Sequence, residues 1–270
     1  MLVLKLGGSV VTHKDKPFTP HKGNIARLSA EIADAGARPL VVVHGGGNIV
    51  TQWLKRQGIT TEIVRGERVT DLPALDVVTA VLTGLVNKKV VAAINCLGGR
   101  AVGISGIDGA LIESRIKNSE MGYVGSVEKV NRKVLDALLE TGFVPVVAPV
   151  SLYSVNRPEK AAQIINVNGD PIAGELAVAV GAEKLVFLTD TEGVRDGSGN
   201  LMPRIAADEA VELIESGVIS GGMIPKINAC LRALTTGAIT RIIDGEQAHA
   251  LVREIDGAAG GTTIYKLTSV

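Results

Sequence analysis

The chain has 270 residues, with 28 Lys+Arg against 28 Asp+Glu, so its formal net charge is zero. That balance excludes a general nucleic-acid binder, which needs a basic field to displace counterions, and three Phe, three Tyr and one Trp are too few for a base-stacking platform. A hydrophobic content of 46% suffices for a sizeable core and excludes general disorder, while the 32 glycines exceed the ordinary share and have to be placed one by one.

The first predicted strand, Leu2–Leu6, runs into Gly7-Gly8-Ser9. Lys5 lies in that strand, and a buried lysine is costly unless its ammonium reaches a partner. Just before Gly-Gly it projects near the strand's carboxyl end, where glycine amides can approach an anion closely; the alternative is a tight turn beside a snorkelling edge lysine. A helix with Ile25, Leu28 and Ile32 on one face follows, and then a strand over Leu40–His44. Gly45-Gly46-Gly47-Asn48 leads from that strand directly into another helix, an arrangement that binds anions through backbone donors and the helix dipole. No Walker A sequence occurs, and the first turn lacks the spacing of a dinucleotide-binding fingerprint.

Arg65 to Asp71 (RGERVTD) is a polar stretch whose arginines either take a carboxylate bidentately or form a solvated charge run. Leu75, Val78, Leu82 and Leu85 share the face of the next helix, and a strand over Ala101–Ser105 leads into GISGIDG. A strand is predicted over Val144–Val150. The polar, proline-containing segment Tyr153–Gln163 reads as a surface hairpin or loop, at a junction of two lobes or within one. Asn166-Val167-Asn168-Gly169-Asp170 precedes a helix over Pro171–Val180, with Pro171 suited to the first helical position and Asp170 to the N-cap. Alternatively, Asp170 orients cationic groups. Strands over Leu185–Thr189 and Arg241–Ile243 follow, the former opening into Asp190-Thr191-Glu192-Gly193-Val194. Between them, Gly221-Gly222-Met223-Ile224-Pro225-Lys226 starts a helix with Ile227, Cys230, Leu231 and Leu234 on one face. Lys226 opposes the dipole at that N-terminus, so it needs an anion nearby, and a phosphate ligand would supply one.

This β-α-β rhythm predicts a mainly parallel sheet with helices on both faces and ligands at the carboxyl ends of the strands. No secretory leader and no run of about 18–20 apolar residues is read, so a cytoplasmic location away from membranes is expected. Cys96 and Cys230 are expected to be buried thiols. The histidines (His13, His21, His44 and His249) form no metal-ligand pair, so no protein metal site is expected.

Taken in order, KLGGS, VVVHGGGN, RGERVTD, GLVNKK, VGISGIDG, VGSVEKVN, NVNGD, LTDTEGV, GGMIPK and the closing DGEQAHALVREIDGAAGGTTI resemble the amino-acid kinase superfamily, most closely its acetylglutamate kinases. The resemblance implies a three-layer αβα sandwich of the carbamate kinase-like fold, with an N-terminal lobe (1–165) for the acyl-amino acid and for dimerisation and a C-terminal lobe (166–270) for ATP. It implies transfer of the γ-phosphoryl group of Mg-ATP to the side-chain carboxylate of N-acetyl-L-glutamate, in arginine biosynthesis. Lys5 matches the lysine on the transferring phosphoryl group, Lys226 a second lysine nearer the leaving β-phosphate, and Asp170 the aspartate orienting both. Gly8 and Gly46 match glycines whose amides cradle the moving phosphoryl. Gly46 and Gly47 border the acyl-amino acid, while Arg68 and Asn166 match the groups on its α-carboxylate and amide. Asp190, Thr191, Glu192, Gly193, Val194 and Arg195, with Val218, Ile219 and Ser220, fall where the adenosine moiety is held. Mg²⁺ is expected through the ATP phosphates rather than through protein ligands.

The segment Val11–Pro20 is more similar to isopentenyl phosphate kinases, whereas Asn48 after the three glycines, RGERVTD and NVNGD favour the acyl-amino-acid side. A carrier-protein-linked aminoadipate or glutamate kinase of lysine biosynthesis is the alternative substrate reading, and a non-catalytic nucleotide or amino-acid sensor the reading from another class. Because Lys5 is reached almost at once, without the N-terminal helix of arginine-inhibited members, the resemblance implies an arginine-insensitive homodimer.

Overall fold

Side-chain alternation along β1 (Leu2–Leu6), buried at every position, sends Leu2, Leu4 and Leu6 to one face of the central sheet and Val3 and Lys5 to the other. The computed structural model describes residues 1–11, 22–35, 38–64, 66–257 and 260–266. Residues 12–20, where the likeness to isopentenyl phosphate kinases lies, fall outside them with His13, His21 and Arg65. After β1 come α1 (Gly8–Val11), α2 (Lys22–Asp34), β2 (Leu40–His44), α3 (Gly47–Arg56) and a hairpin of β3 (Ile63–Val64) and β4 (Glu67–Arg68). Helix α4 (Leu72–Thr79) continues through a π-helical stretch, Ala80–Val86, into α5 (Asn87–Cys96). The chain then forms β5 (Ala101–Ser105), β6 (Ile112–Ile116), β7 (Val124–Val130), α6 (Lys133–Glu140), β8 (Val144–Ala148), β9 (Val150–Tyr153) and β10 (Ile164–Val167). Helix α7 (Gly169–Val180), β11 (Lys184–Thr189), β12 (Arg204–Ala206), α8 (Ala207–Glu215), α9 (Met223–Leu234), β13 (Ile239–Asp244), α10 (Ala250–Ile255) and β14 (Thr262–Tyr265) complete it.

Eight strands form one sheet in the order β12-β14-β13-β11-β1-β2-β8-β5. Every neighbouring pair is parallel except β13 with β14. Residues of α2, α3, α4, α5 and α10 pack with Leu4 and Val42 on one face, and residues of α6 to α9 with Val3 and Phe187 on the other. The result is the expected αβα sandwich. The sheet is continuous from one proposed lobe to the other through the β1–β11 pairing, and the 165/166 boundary falls inside β10.

Several expectations need correction. The strand expected over Val144–Val150 breaks at Pro149, which has no N–H to continue a ladder: β8 stays in the main sheet, while β9 enters a small closed barrel of order β10-β7-β6-β9. That barrel was not foreseen, because its strands mix apolar with small polar residues; Ser151 Oγ donates to Ser114 Oγ at 2.8 Å in its interior. The Tyr153–Gln163 segment does connect two antiparallel strands, with Leu152 opposite Ile164. Helix α7 begins at Gly169, so Pro171 is its third residue, and its cap is Asn168, whose side chain accepts from Asp170 N at 3.0 Å. Asp170 is therefore not the cap. Cys230 is buried but Cys96 is exposed at the end of α5. The helical run Leu72–Cys96 has the length and the mean hydropathy, 1.6, of a membrane span. Polar residues such as Asp76, Thr79 and Asn87 interrupt it, and Ala74, Val78, Val81, Val86, Val90 and Ile94 bury its apolar side in the core, as in a core helix.

Candidate active site

Lys5 emerges from β1 on the side covered by α7, whose first turn carries Asp170. The ammonium lies 2.6 Å from Asp170 Oδ1, and Lys226 Nζ, from the first turn of α9, lies 3.1 Å from Oδ2. Lys226 Nζ also donates to the Gly222 carbonyl at 3.0 Å. Lys5 and Asp170 are 6% and 3% exposed, so this is a buried carboxylate held between two ammonium groups. Burial alone would raise the Asp170 pKa, but the charges of Lys5 and Lys226 overcome it and hold the carboxyl below its ordinary range. Burial lowers the Lys5 pKa despite the attraction of Asp170, and the charge of Lys226 adds to the lowering. Lys226 thus has in Asp170 the anion that its place at a helix start requires. The Lys5 ammonium keeps donor capacity for a further anion.

Two glycine turns close against each other beside Lys5. Gly7 N donates to the Leu188 carbonyl and Gly45 N to the Leu6 carbonyl, at 2.7 and 2.8 Å, so both turns are tied to the ends of neighbouring strands. A Cβ on Gly45 would lie 2.7 Å from Gly8 N, and one on Gly8 would lie 3.4 Å from Gly46 N. Gly46, at φ 152°, opens α3, whose first-turn amides point out of the helix start. No side chain fits at Gly45, and the site's wall is made of peptide groups.

A cavity of about 300 Å³ opens onto this wall, lined by Lys5, Gly8, Gly46, Gly47, Arg68 and Asn166 among others. Arg68, on the β3–β4 hairpin, donates to Thr61 Oγ1 at 2.7 Å, to Thr51 Oγ1 at 2.5 Å and to the Gly47 carbonyl at 3.2 Å. Asn166 Nδ2 donates to Thr70 Oγ1 at 3.1 Å, and that hydroxyl donates to the Arg68 carbonyl at 2.7 Å. RGERVTD and NVNGD, remote in sequence, therefore build one corner of the cavity.

The remaining expected residues lie beyond β11. Asp190, Thr191, Glu192 and Arg195 are exposed, as are Val218 and Ser220, while Gly193 is buried. A Cβ on Gly197, just past the first segment, would lie 4.0 Å from Val218 Cγ2 of the second. Val194 and Ile219 are 2% exposed and belong to the core, which leaves only their backbone to a ligand. Sequence reading missed Asn168 and Gly169, which line the cavity, and Thr51 and Thr70, which hold its corner. Asn168 had a visible signal, since it too is a good N-cap residue two positions before Asp170.

The chain is similar to known proteins. A family model described as "Amino acid kinase family" matches residues 1–244. The chain is 47% identical over 264 residues to an acetylglutamate kinase of Dehalococcoides mccartyi, covering 98% of this chain and 94% of that protein. In three dimensions it is similar to smu.665 from Streptococcus mutans (TM-score 0.80, 26% identity, 98% of each chain). A carbamate kinase from Giardia lamblia bound to AMP-PNP shares the fold (TM-score 0.73, 18% identity, 98% of each chain).

Proposed function

The chain belongs to the amino acid kinase family, and on that premise we propose that it transfers the γ-phosphoryl group of ATP to the side-chain carboxylate of N-acetyl-L-glutamate, a step of arginine biosynthesis. The observation that carries this reading is the Lys5–Asp170–Lys226 triad, whose Lys5 lines the cavity that also holds Arg68 and Asn166. A carboxylate nucleophile is ionised at pH 7 and needs no general base. What it needs is charge neutralisation and in-line positioning, and lysine ammonium groups with backbone amides supply both.

In this reading the α-carboxylate and acetamide of the substrate lie at Arg68 and Asn166. The side-chain carboxylate is then directed toward Lys5 and the amides of Gly8 and Gly46. Lys5 and these amides take the oxygens of the transferring group, and Lys226 takes the charge growing on the leaving phosphate. Asp170, between the two ammonium groups, holds them in place. Because both of its oxygens face lysines, it is poorly disposed to bind a metal, which fits Mg²⁺ carried on the nucleotide's phosphates. When bound there, Mg²⁺ neutralises phosphate charge. The adenosine moiety lies along 190–195 and 218–220, so residues 1–165 serve the acyl-amino acid and 166–270 the nucleotide. The reading includes a cytoplasmic homodimer with no nucleic-acid or membrane partner.

Purified protein with Mg-ATP is expected to give a hydroxylamine-trapped acyl hydroxamate from N-acetylglutamate. Turnover confined to carrier-linked aminoadipate or to isopentenyl phosphate, in the same panel, would falsify the substrate assignment; nucleotide binding without any transfer would favour the sensor reading.

A further inference from the structure

Behind the second glycine turn lies a polar cluster that the chemistry above leaves unused. His44, the last residue of β2, is fully buried, and Asn87, the first residue of α5, is 1% exposed. His44 Nδ1 lies 2.8 Å from the Gly45 carbonyl, and His44 Nε2 lies 3.2 Å from Asn87 Nδ2. Asn87 Nδ2 also donates to the Val146 carbonyl at 2.8 Å, and Asn87 Oδ1 accepts from Lys88 Nζ at 3.1 Å. Lys88 Nζ donates in turn to the Gly103 carbonyl at 3.0 Å.

Asn87 Nδ2 also lies 3.4 Å from the Ile104 carbonyl, a longer contact than those to Val146 and His44, and the shorter contacts assign the protons. A carbonyl only accepts, so the Asn87 atom facing Val146 is the amide nitrogen, and the atom facing Lys88 is the oxygen. The same nitrogen faces His44 Nε2, which must then be an acceptor. The ring proton is therefore on Nδ1, where it is donated to the Gly45 carbonyl. Donors run one way, from Lys88 through Asn87 and His44 to that single carbonyl.

Its orientation matters because a peptide group is planar and trans: the Gly45 C=O and the Gly46 N–H are opposite ends of one rigid unit. Gly46 itself, with no side chain and φ of 152°, does little to choose that orientation. We propose that His44 is a positioning residue, which as the neutral Nδ1–H tautomer held by Asn87 fixes the Gly45–Gly46 peptide so that the Gly46 N–H is aimed at the transferring phosphoryl group. This rests on the kinase reading above. Burial pushes the His44 pKa down to about 4, and the charges of Lys5 and Lys88 add to the lowering, so the ring stays neutral through the physiological range. The π-helical stretch places Leu82 and Val86 under the same turn, where a Cβ on Gly46 would lie 2.9 and 3.2 Å from them. The turn is thus supported from below by packing and oriented from behind by His44.

The test pairs kinetics with a direct view of the ring. His44→Ala is expected to lower kcat for N-acetylglutamate about tenfold or more, with KM for both substrates within about twofold, as for an interaction made in the transition state. His44→Asn, whose amide can donate from nearly the position of Nδ1, is expected to restore most of kcat. Unchanged kcat in His44→Ala, or equal losses in both variants, overturns the proposal. Should the variants not fold, ¹⁵N NMR of the wild-type imidazole decides: an Nδ1–H ring that does not titrate until near pH 4 is expected, and an Nε2–H or doubly protonated ring at pH 7 overturns it. A wild-type enzyme inactive on N-acetylglutamate would overturn the substrate assignment, while the NMR result would still decide the tautomer.

Discussion

Among the described residues, two buried carboxylates are each flanked by two cations, and only one of the two belongs to the candidate site. Asp170 lies between Lys5 and Lys226. Glu254, on α10, lies between Lys184 and Arg241, at 2.9 and 3.0 Å. Both carboxylates are 3% exposed, and both trios carry a net charge of +1. The difference is in what else the cations touch. Lys184 Nζ also donates to the Glu254 carbonyl, and Arg241 donates to Thr263 Oγ1 and the Gly260 carbonyl, so the cations of this cluster are engaged in tying α10 to the sheet and β14. Among the described residues, Lys5 Nζ is paired with Asp170, although an ammonium has three N–H donors. Both clusters bury charge; the Asp170 cluster sets it beside backbone amides and the cavity that Lys5 lines.

The widest separation between the clusters is expected in turnover. Lys5→Ala should lower kcat by about 10²–10³, the range for one charge-stabilising donor, with the fold retained by circular dichroism. Near-normal kcat would remove Lys5 from the chemistry and with it the distinction drawn above. Glu254→Gln should do the reverse. Its two cations lose their counter-charge, and denaturant unfolding is expected to show a loss of about 3 kcal/mol, the low end for a broken buried pair because Lys184 keeps some water contact. Turnover below the unfolding transition should match wild type, and a kcat loss as large as that of Lys5→Ala would erase the difference between the clusters.

Smaller effects sharpen it. Lys5 must be protonated to act, and its pKa is lowered chiefly by burial. As pH rises, the free enzyme therefore loses the proton earlier than an ordinary lysine near 10.4 would. A plot of kcat/KM for ATP against pH should fall on the alkaline side at a midpoint below that value, and a midpoint at or above it would contradict the lowered pKa. The smallest change is expected at the cavity's corner. Arg68→Lys keeps the charge but cannot reproduce the planar fork that reaches Thr51, Thr61 and Gly47. KM for N-acetylglutamate should rise about tenfold with kcat nearly unchanged. A loss confined to kcat would instead tie Arg68 to the transferring group.

Sequence features of different kinds proved legible to different degrees. Lys5 could be read because a lysine in an apolar strand before Gly-Gly has few bland explanations, and the αβα sandwich because strand and helix periods alternate cleanly. Asp170 was ambiguous because an aspartate before Pro171 suits a cap as well as it suits a partner for cations, and only the helix's actual start, at Gly169, decides against the cap. The barrel was hidden because Ile112–Ile116 and Val124–Val130 pair with strands far along the chain, information that local periodicity does not contain. The Glu254 cluster left no signal, since Lys184, Arg241 and Glu254 each look like ordinary surface charges until packing joins them. His44 read as a histidine without a metal partner, and its role depends on Asn87, 43 positions away.

The π-helical stretch Ala80–Val86 also sets a rotational phase. A π turn takes up more residues than an α turn, so α5 leaves it rotated relative to α4. Deleting one residue there is absorbed either by closing the stretch to α geometry or by turning every following side chain by about 100° around the helix axis, and the second outcome carries Asn87 away from His44. The length of this stretch thus bears on the angular setting of one amide at its end as well as on the apolar core it crosses.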